Sequence, residues 1–167
     1  VGTLRWDGAV FRGVSLPAAV LGAGKPTWRA VHGDGQGNVW ISGDNESVVR
    51  ISASGDATRI PLQIASKPID PLSFRGIHAD FGAAWVVGAR LDPDGDLADG
   101  YIGKYDPAMK NITITKADQI NGLTATGALF DVDCSSGTDC WYVGYSTIIH
   151  NINGVYKNEI IQSDGAC

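Results

Sequence analysis

The sequence has little of what membrane-spanning or nucleic-acid-binding proteins need. It contains a single methionine and few long runs of strong helix formers. No apolar stretch approaches the roughly 18 residues that predict a membrane-spanning helix. The formal charge of −5, from 18 acidic and 13 basic residues, comes without any cluster of Lys or Arg. The positive surface that binds nucleic acid or anionic lipid is therefore missing, and we expect neither a nucleic-acid partner nor a membrane span in this chain.

Glycine, in contrast, is abundant. The 167 residues include 22 glycines and 7 prolines, and 44% of the residues are hydrophobic. This amount of apolar sequence is enough for the core of one domain. Frequent glycine and proline favour many short strands joined by tight turns. The composition therefore predicts a globular, all-β protein.

One stretch of the chain occurs three times. Residues 28–43 read WRAVHGDGQGNVWISG. Related segments occur at 74–88, FRGIHADFGAAWVVG, and at 129–144, LFDVDCSSGTDCWYVG. Each has an apolar opening, a turn, then Trp, two strand residues and Gly. The three tryptophans, Trp40, Trp85 and Trp141, recur at the spacing of a propeller or another stacked array. We expect them to fill the space between neighbouring sheets.

Aligning the repeats predicts four-stranded antiparallel blades of a β-propeller. The expected strands are 3–6 and 10–15, then 28–32, 38–42, 47–52 and 57–62, then 74–78, 83–88, 100–105 and 111–116, and finally 129–133, 140–144, 147–152 and 155–162. The predicted units are a half blade at 1–17 and blades at 28–62, 74–116 and 129–162 within one segment, 1–167. About three and a half blades make an incomplete ring, because propellers usually have four to eight. We expect a further chain or an oligomer to complete it.

The repeats resemble those of known propeller families. WRAVHGDGQGNVWISG with SVVRIS, and the opening TLRWDGAVFRGVSLP, are similar to V-W-x-x-G propeller repeats of secreted bacterial proteins. Asp34 with Gly37, Asn38 and Trp40 resembles the D-x-x-G-N-x-W repeat of two-component-regulator and streptogramin-lyase-type propellers. The sialidase Asp-box is not matched. The resemblance implies the fold, whereas such repeats serve adhesins, sensors, lectins and enzymes alike.

Two of the three cysteines flank the turn of the third repeat. A disulfide between Cys134 and Cys140 would indicate an oxidising compartment, and we expect a secreted, periplasmic or cell-surface protein. The alternative is a pair of reduced thiols, since a zinc site would need further ligands that the neighbourhood does not offer. Cys167 is left without an assigned partner.

An acidic stretch at 92–100, DPDGDLADG, interrupts the second repeat. Its carboxylates, on Asp92, Asp94, Asp96 and Asp99, are hard oxygen ligands of the kind that Ca²⁺ prefers. The spacing is not that of an EF-hand. We therefore expect either a calcium site completed by backbone oxygens or a solvated acidic hairpin.

Polar residues at the ends of the first strands are candidate ligand-binding groups. His32, His78 and Asp133 occupy equivalent positions in successive repeats, which could form a transition-metal face. The simpler interpretation is that they are solvated or bonded to a turn.

Two arginines, Arg29 and Arg75, also repeat in register. They could hold an anionic ligand in the central channel, or they could pair with nearby acids such as Asp34 and Asp80.

Together these features predict an extracytoplasmic binding or assembly module with a protein or glycan partner, which it recognises through loops at the blade ends. No nucleophile elbow is present, so no catalytic residue is assigned. The alternatives are a carbohydrate-active hydrolase or lyase that uses the channel residues, and the sensor domain of a receptor.

Overall fold

A computed structural model describes residues 3–6, 9–22, 26–65, 70–80, 82–124 and 127–159. The end of the predicted last strand, residues 160–162, and Cys167 lie outside these ranges. The described chain is almost entirely β, as expected. Its helical parts are one turn, α1 (Ala18–Leu21), and a single 3₁₀ turn at Ala117–Gln119. No described helix is long and apolar enough to cross a membrane.

The first two strands form the predicted half blade. Strands β1 (Thr3–Trp6) and β2 (Phe11–Val14) pair antiparallel as a two-stranded sheet. Helix α1 follows and ends at Gly22, whose φ of 71° lies in the left-handed region that favours glycine.

The first complete blade is an antiparallel sheet in sequence order. Its strands are β3 (Trp28–Gly33), β4 (Val39–Gly43), β5 (Ser47–Ile51) and β6 (Ala57–Arg59). The expected last strand, 57–62, is divided. Pro61 has no N–H to continue the ladder with β5, and the chain leaves the sheet there. Strand β7 (Leu62–Ile64) instead pairs parallel with the outermost strand of the next blade.

The second blade therefore has five strands in the order β7-β11-β10-β9-β8. Its own strands are β8 (Leu72–Asp80), β9 (Ala83–Leu91), β10 (Leu97–Asp106) and β11 (Asn111–Lys116). By covering the edge of β11, strand β7 ties the first blade to the second through main-chain hydrogen bonds.

The third blade is again a four-stranded meander. It consists of β12 (Leu129–Ser136), β13 (Asp139–Gly144), β14 (Thr147–Ile152) and β15 (Val155–Glu159). The last two strands are joined by Asn153-Gly154, with φ of 54° and 82°. This pair suits a two-residue hairpin because both residues tolerate positive φ.

The blades meet through their first strands, in the arrangement of a propeller. Strand β8 contacts β3 and β4 on one side and β12 on the other. One apolar cluster fills the space between blades one and two, around Trp40, Phe74 and Ile112. A second cluster fills the space between blades two and three, around Trp85 and Tyr142. Burial of these apolar faces is the main contribution to the stability of the fold, because both faces of an isolated blade would be exposed to water.

Candidate binding surface

Every complete blade begins with the same β-bulge. The pairing of the first strand slips by one residue at Arg29, Arg75 and Phe130, opposite the Gly of the Trp-x-x-Gly motif. A Cβ on that glycine, Gly43 in the first blade, would overlap the carbonyl oxygen of Thr27. The repeated glycine is therefore a steric requirement, and the two repeated arginines are the extra residues of the bulges.

The bulge arginine of the first blade forms an ion pair at the junction with the second blade. Arg29 donates from Nε and Nη2 to the two carboxylate oxygens of Asp44, at 3.0 and 2.7 Å. Ser73 of the second blade donates to the same carboxylate at 2.5 Å. Burial works to raise the pKa of Asp44, but these hydrogen bonds outweigh it and the pKa is lowered. The partner of Arg29 is thus Asp44, and neither Asp34 nor Asp80. In Arg75, Nε is buried without a hydrogen-bond partner.

The three first-strand residues His32, His78 and Asp133 adjoin one another across the blades. The two imidazole rings are 4.5 Å apart. His78 Nδ1 lies 2.9 Å from a carboxylate oxygen of Asp133. No group of three or more His, Cys, Asp or Glu side chains in the described part of the chain could hold a metal ion. The described residues therefore show no arranged set of ligands for the predicted metal face. Arg29 and Arg75 lie at the bulges and not among these three residues.

These residues link each blade to the next by a repeated contact. The amide of Ala79, which follows His78 in the second blade, donates to His32 Nδ1 at 3.1 Å. The amide of Cys134, which follows Asp133 in the third blade, lies 3.4 Å from His78 Nδ1. With Nδ1 unprotonated, His78 accepts this hydrogen bond, and with a proton on Nδ1, in the neutral or the charged ring, it donates to Asp133. Burial, and then the charge of His32, lower the pKa of His78, which favours the neutral ring.

The motif tryptophans also have equivalent neighbours. Each is paired across strands with a basic residue of the third strand, and that residue lies over or against the indole. The pairs are Trp40 with Arg50, Trp85 with Lys104, and Trp141 with His150. The repeat therefore specifies a row of three positions that runs across every blade.

Burial distinguishes the third tryptophan from the other two. Trp40 is fully buried and Trp85 is 2% exposed, as predicted, whereas Trp141 is 42% exposed. The prediction that Trp141 belongs to the core is wrong. Trp40 and Trp85 are covered by the next blade, and no described element covers the corresponding side of the third sheet.

We call that uncovered side the third-blade face. The strand register places one set of residues on it, namely Asp131, Asp133, Asp139, Trp141, Val143, Ile148, His150, Ile152, Val155, Lys157 and Glu159. At its centre the Trp141 indole stacks on the His150 imidazole, with 3.8 Å between ring centroids. His150 Nε2 is 2.7 Å from Asp139. A depression of ≈ 380 Å³ lies beside His150 and Lys157.

The third-blade face is rich in exposed apolar side chains. Trp141, Val143, Ile152 and Val155 are exposed on it, and Phe130 and Tyr145 are exposed at its border. Contiguous exposed apolar surface of this kind usually marks an interaction site. On the same face the His150 ring lies 2.7 Å from Asp139 and 3.7 Å from Glu159, so the surface combines apolar area with groups that can form specific polar contacts.

The acidic stretch forms a tight hairpin instead of a long loop. The hairpin turn comprises residues 92–96, and its first carboxylate, on Asp92, accepts hydrogen bonds from the amides of Asp94 and Asp96 at 3.1 and 2.8 Å. Asp99 lies within β10 and pairs with Arg90 and with Lys116. The carboxylates of Asp92 and Asp99 are therefore engaged in different contacts, and calcium binding stays a prediction.

Cys134 and Cys140 form a disulfide across the hairpin between β12 and β13. The two residues are direct cross-strand partners, and Cys140 is fully buried beside Tyr142 in the cluster between blades two and three. The bond thus closes the end of the third blade next to Asp133.

Sequence reasoning missed the role of Asp34. Its buried carboxylate accepts hydrogen bonds from the amides of Gln36 and Asn38, from the Asn38 side chain at 2.7 Å, and from the Trp40 indole at 3.5 Å. The D-x-x-G-N-x-W pattern is therefore a structural unit in which Asp34 fixes both the turn and the tryptophan. The signal was present in the motif, whose spacing brings the three side chains together.

The cluster of Trp141, His150 and Asp139 was also missed as a surface site. The internal alignment contains the signal, since His150 falls where Arg50 and Lys104 stand. The exposure of this cluster could not be predicted from the alignment, because a repeat gives the pattern within one blade and does not show whether another blade packs against it.

The sequence matches no known protein-family model and no curated protein. Among solved structures, the chain is similar to one titled "YCF48 bound to D1 peptide", with 12% sequence identity and a TM-score of 0.34. The alignment covers 99% of this chain and 62% of that one, so this chain spans about three fifths of the length of that structure.

Proposed function

We propose that the protein is a binding and assembly module, and that a partner polypeptide docks on the third-blade face. The observation that carries the proposal is the exposure of Trp141 at a position where Trp40 and Trp85 are buried by a neighbouring sheet. A repeat that places the same large side chain on each blade uses it to pack blade against blade. The third copy has the same chemistry and no described cover.

The contacts within the molecule indicate the chemistry of the partner. The face of the second blade around Trp85 is covered by Leu129, Val132 and Tyr142 of the third blade. The corresponding cover for Trp141 is a β-sheet that presents large apolar side chains. Such a sheet removes apolar area from water at a gain of about 25 cal/mol per Å².

Asp133 is the polar contact that we propose for the same interface. In the first two blades the equivalent residues, His32 and His78, each face a main-chain amide of the following blade. The Asp133 side chain is 88% exposed and can accept a hydrogen bond from the first strand of a partner sheet. A carboxylate that accepts a main-chain N–H forms a charge-assisted bond, which fixes the register of the two sheets.

We further propose an oxidising location for the protein, at the cell surface, in the periplasm or outside the cell. The support is the disulfide between Cys134 and Cys140, because such bonds persist mainly in those compartments. Mass spectrometry of the native material under non-reducing conditions tests this. A pair of free thiols at these positions would contradict it.

Site-specific photo-crosslinking tests the docking surface. A photoreactive phenylalanine analogue replaces Val143 on the third-blade face, and in a matched control it replaces Met109, an exposed side chain in the turn between β10 and β11 of the second blade. We expect a discrete crosslinked partner from position 143 in the native source, and none from position 109. Equal products from both positions would contradict the proposal.

Variants then test whether the captured partner uses the predicted contacts. Trp141→Asp should weaken its affinity by at least about 30-fold, because a buried aromatic anchor is a typical hot spot. Asp133→Ala should weaken it by about tenfold through loss of one charge-assisted bond. Met109→Ser, in the exposed turn between β10 and β11 of the second blade, serves as the control and should have little effect. An unchanged affinity in Trp141→Asp would overturn the assignment.

A further inference from the structure

A second concave surface lies between blades one and two, away from the third-blade face. It is a cleft of ≈ 590 Å³, lined by the end of β5 and the strand after it and by turns of the second blade. This volume falls within the range of small-ligand sites. Its walls include two cationic side chains, Arg50 and Lys110, and several hydroxyl groups.

Aromatic contacts hold Arg50 in place. Its guanidinium carbon lies 5.6 Å from the centre of the Trp40 ring, and Tyr105 packs edge-on against the same indole at 4.9 Å. Arg50 Nε is buried and has no hydrogen-bond partner. A guanidinium held over an indole ring has less rotamer freedom to lose, so binding an anion there incurs a reduced entropic cost.

Lys110 forms another part of the lining of the cleft, in the turn between β10 and β11. Among the residues that the structure describes, neither Arg50 nor Lys110 takes part in an ion pair. The carboxylate in the cleft, on Asp56, accepts a hydrogen bond from Ser54 at 2.6 Å. Two cationic side chains that line one cleft without an ion pair to a described residue are unexpected in a chain whose net charge is −5.

We propose that this cleft binds an acidic saccharide, with its carboxylate or sulfate group on Arg50 and Lys110. A guanidinium binds such oxyanions through two parallel hydrogen bonds. The hydroxyl of Thr58, which also lines the cleft, provides a donor and an acceptor for sugar hydroxyls, whereas the Ser52 hydroxyl is hydrogen-bonded to Ser54 and to the Asp56 amide. The net negative charge of the protein opposes non-specific adsorption of a polyanion, so binding requires a local site.

Titration with three probes tests the proposal: a sulfated disaccharide, the same disaccharide without sulfate, and inorganic sulfate. Affinities are measured by calorimetry, and the contacted residues are mapped by amide chemical shifts. We expect the sulfated disaccharide to bind most tightly and to shift the amides of Arg50 and Lys110. Equal affinity for the neutral sugar would overturn the role of the cations. Equal affinity for inorganic sulfate would overturn the saccharide assignment.

Matched variants locate the site. Arg50→Gln should weaken binding of the sulfated disaccharide by at least about tenfold. Lys104→Gln is the control, because Lys104 has the same repeat position over Trp85 but does not line the cleft, and it should bind like the parent. An equal loss in both variants would overturn the site. Lys110→Asn gives a second test if Arg50→Gln is unstable, since asparagine tolerates the φ of 54° at that position. Unchanged affinity in Lys110→Asn would exclude this residue and overturn the two-cation site.

Discussion

Trp85 and Trp141 have the same place in the repeat and opposite environments. Both stand opposite a first-strand polar residue and beside a basic residue of the third strand. Trp85 is 2% exposed between blades two and three, while Trp141 is 42% exposed on the third-blade face. The repeat therefore determines where a side chain lies within a blade. Its burial depends on whether another sheet lies next to that blade.

His78 and Asp133 extend the comparison to the polar positions. His78 is buried between two blades and faces the amide of Cys134. Asp133, at the equivalent position, is exposed and carries a charge. A buried uncharged group and an exposed charged group at one repeat position fit their surroundings, since an unpaired charge is costly to bury.

The largest effect should come from truncating the two tryptophans. Trp85→Ala should lower the free energy of unfolding by about 3–5 kcal/mol, because it removes a fully packed side chain and leaves a cavity. Trp141→Ala should cost less than about 1 kcal/mol, since much of that ring is already in water. Urea denaturation of both variants measures the difference. Equal losses would mean that Trp141 is covered in the native protein.

The disulfide should stabilise the third blade, which is covered on one side. Replacing Cys134 and Cys140 together by alanine should lower the free energy of unfolding by about 2 kcal/mol, the value expected for closing a short loop. Chemical denaturation tests this, with Cys167→Ser as a control that leaves the bond intact. A variant as stable as the parent would show that the hairpin holds without the bond.

A smaller effect should appear in the pH dependence through His78. Its native pKa is lowered, mainly by burial, so the unfolded chain binds more protons below the ordinary value of 6.5. Stability should therefore fall as the pH drops from 6.5 toward the native pKa, and no further below it. His78→Gln should flatten this part of the profile in thermal melts, whereas Asp133→Asn should leave a downward slope. A slope unchanged in His78→Gln would assign it to another group.

The smallest effect concerns the acidic hairpin of the second blade. If calcium binds there, it raises the melting temperature, and Asp94→Asn combined with Asp96→Asn should abolish the rise. We expect a modest response, because Asp92 already caps its own turn and Asp99 pairs with Arg90 and Lys116. Melting in calcium and in chelator decides the matter. Identical curves for the parent protein would remove the calcium hypothesis.

Much of the blade architecture could be predicted from residue patterns. Local signals sufficed for the strands, the turns and the disulfide, because each depends on residues close in sequence. Pairing of Arg29 with a nearby acid was predicted, but the acid itself, Asp44, was not named, because it follows the glycine that lies opposite the bulge. The crossing of β7 to the second blade was also missed. Pro61 signals the break, but pairing with β11 depends on contacts about 50 residues apart.

The sequence by itself determined the repeating unit: an antiparallel blade with a bulge, a tryptophan and a glycine that must lack a side chain. These features follow from backbone sterics and from the alternation of side chains along a strand. The tertiary structure decided which copies of the unit are buried, how His32, His78 and Asp133 adjoin, and where a cleft opens beside Arg50. Those outcomes depend on which sheet packs against which face, and hydrophobic burial is a property of the assembled sheets rather than of any single repeat.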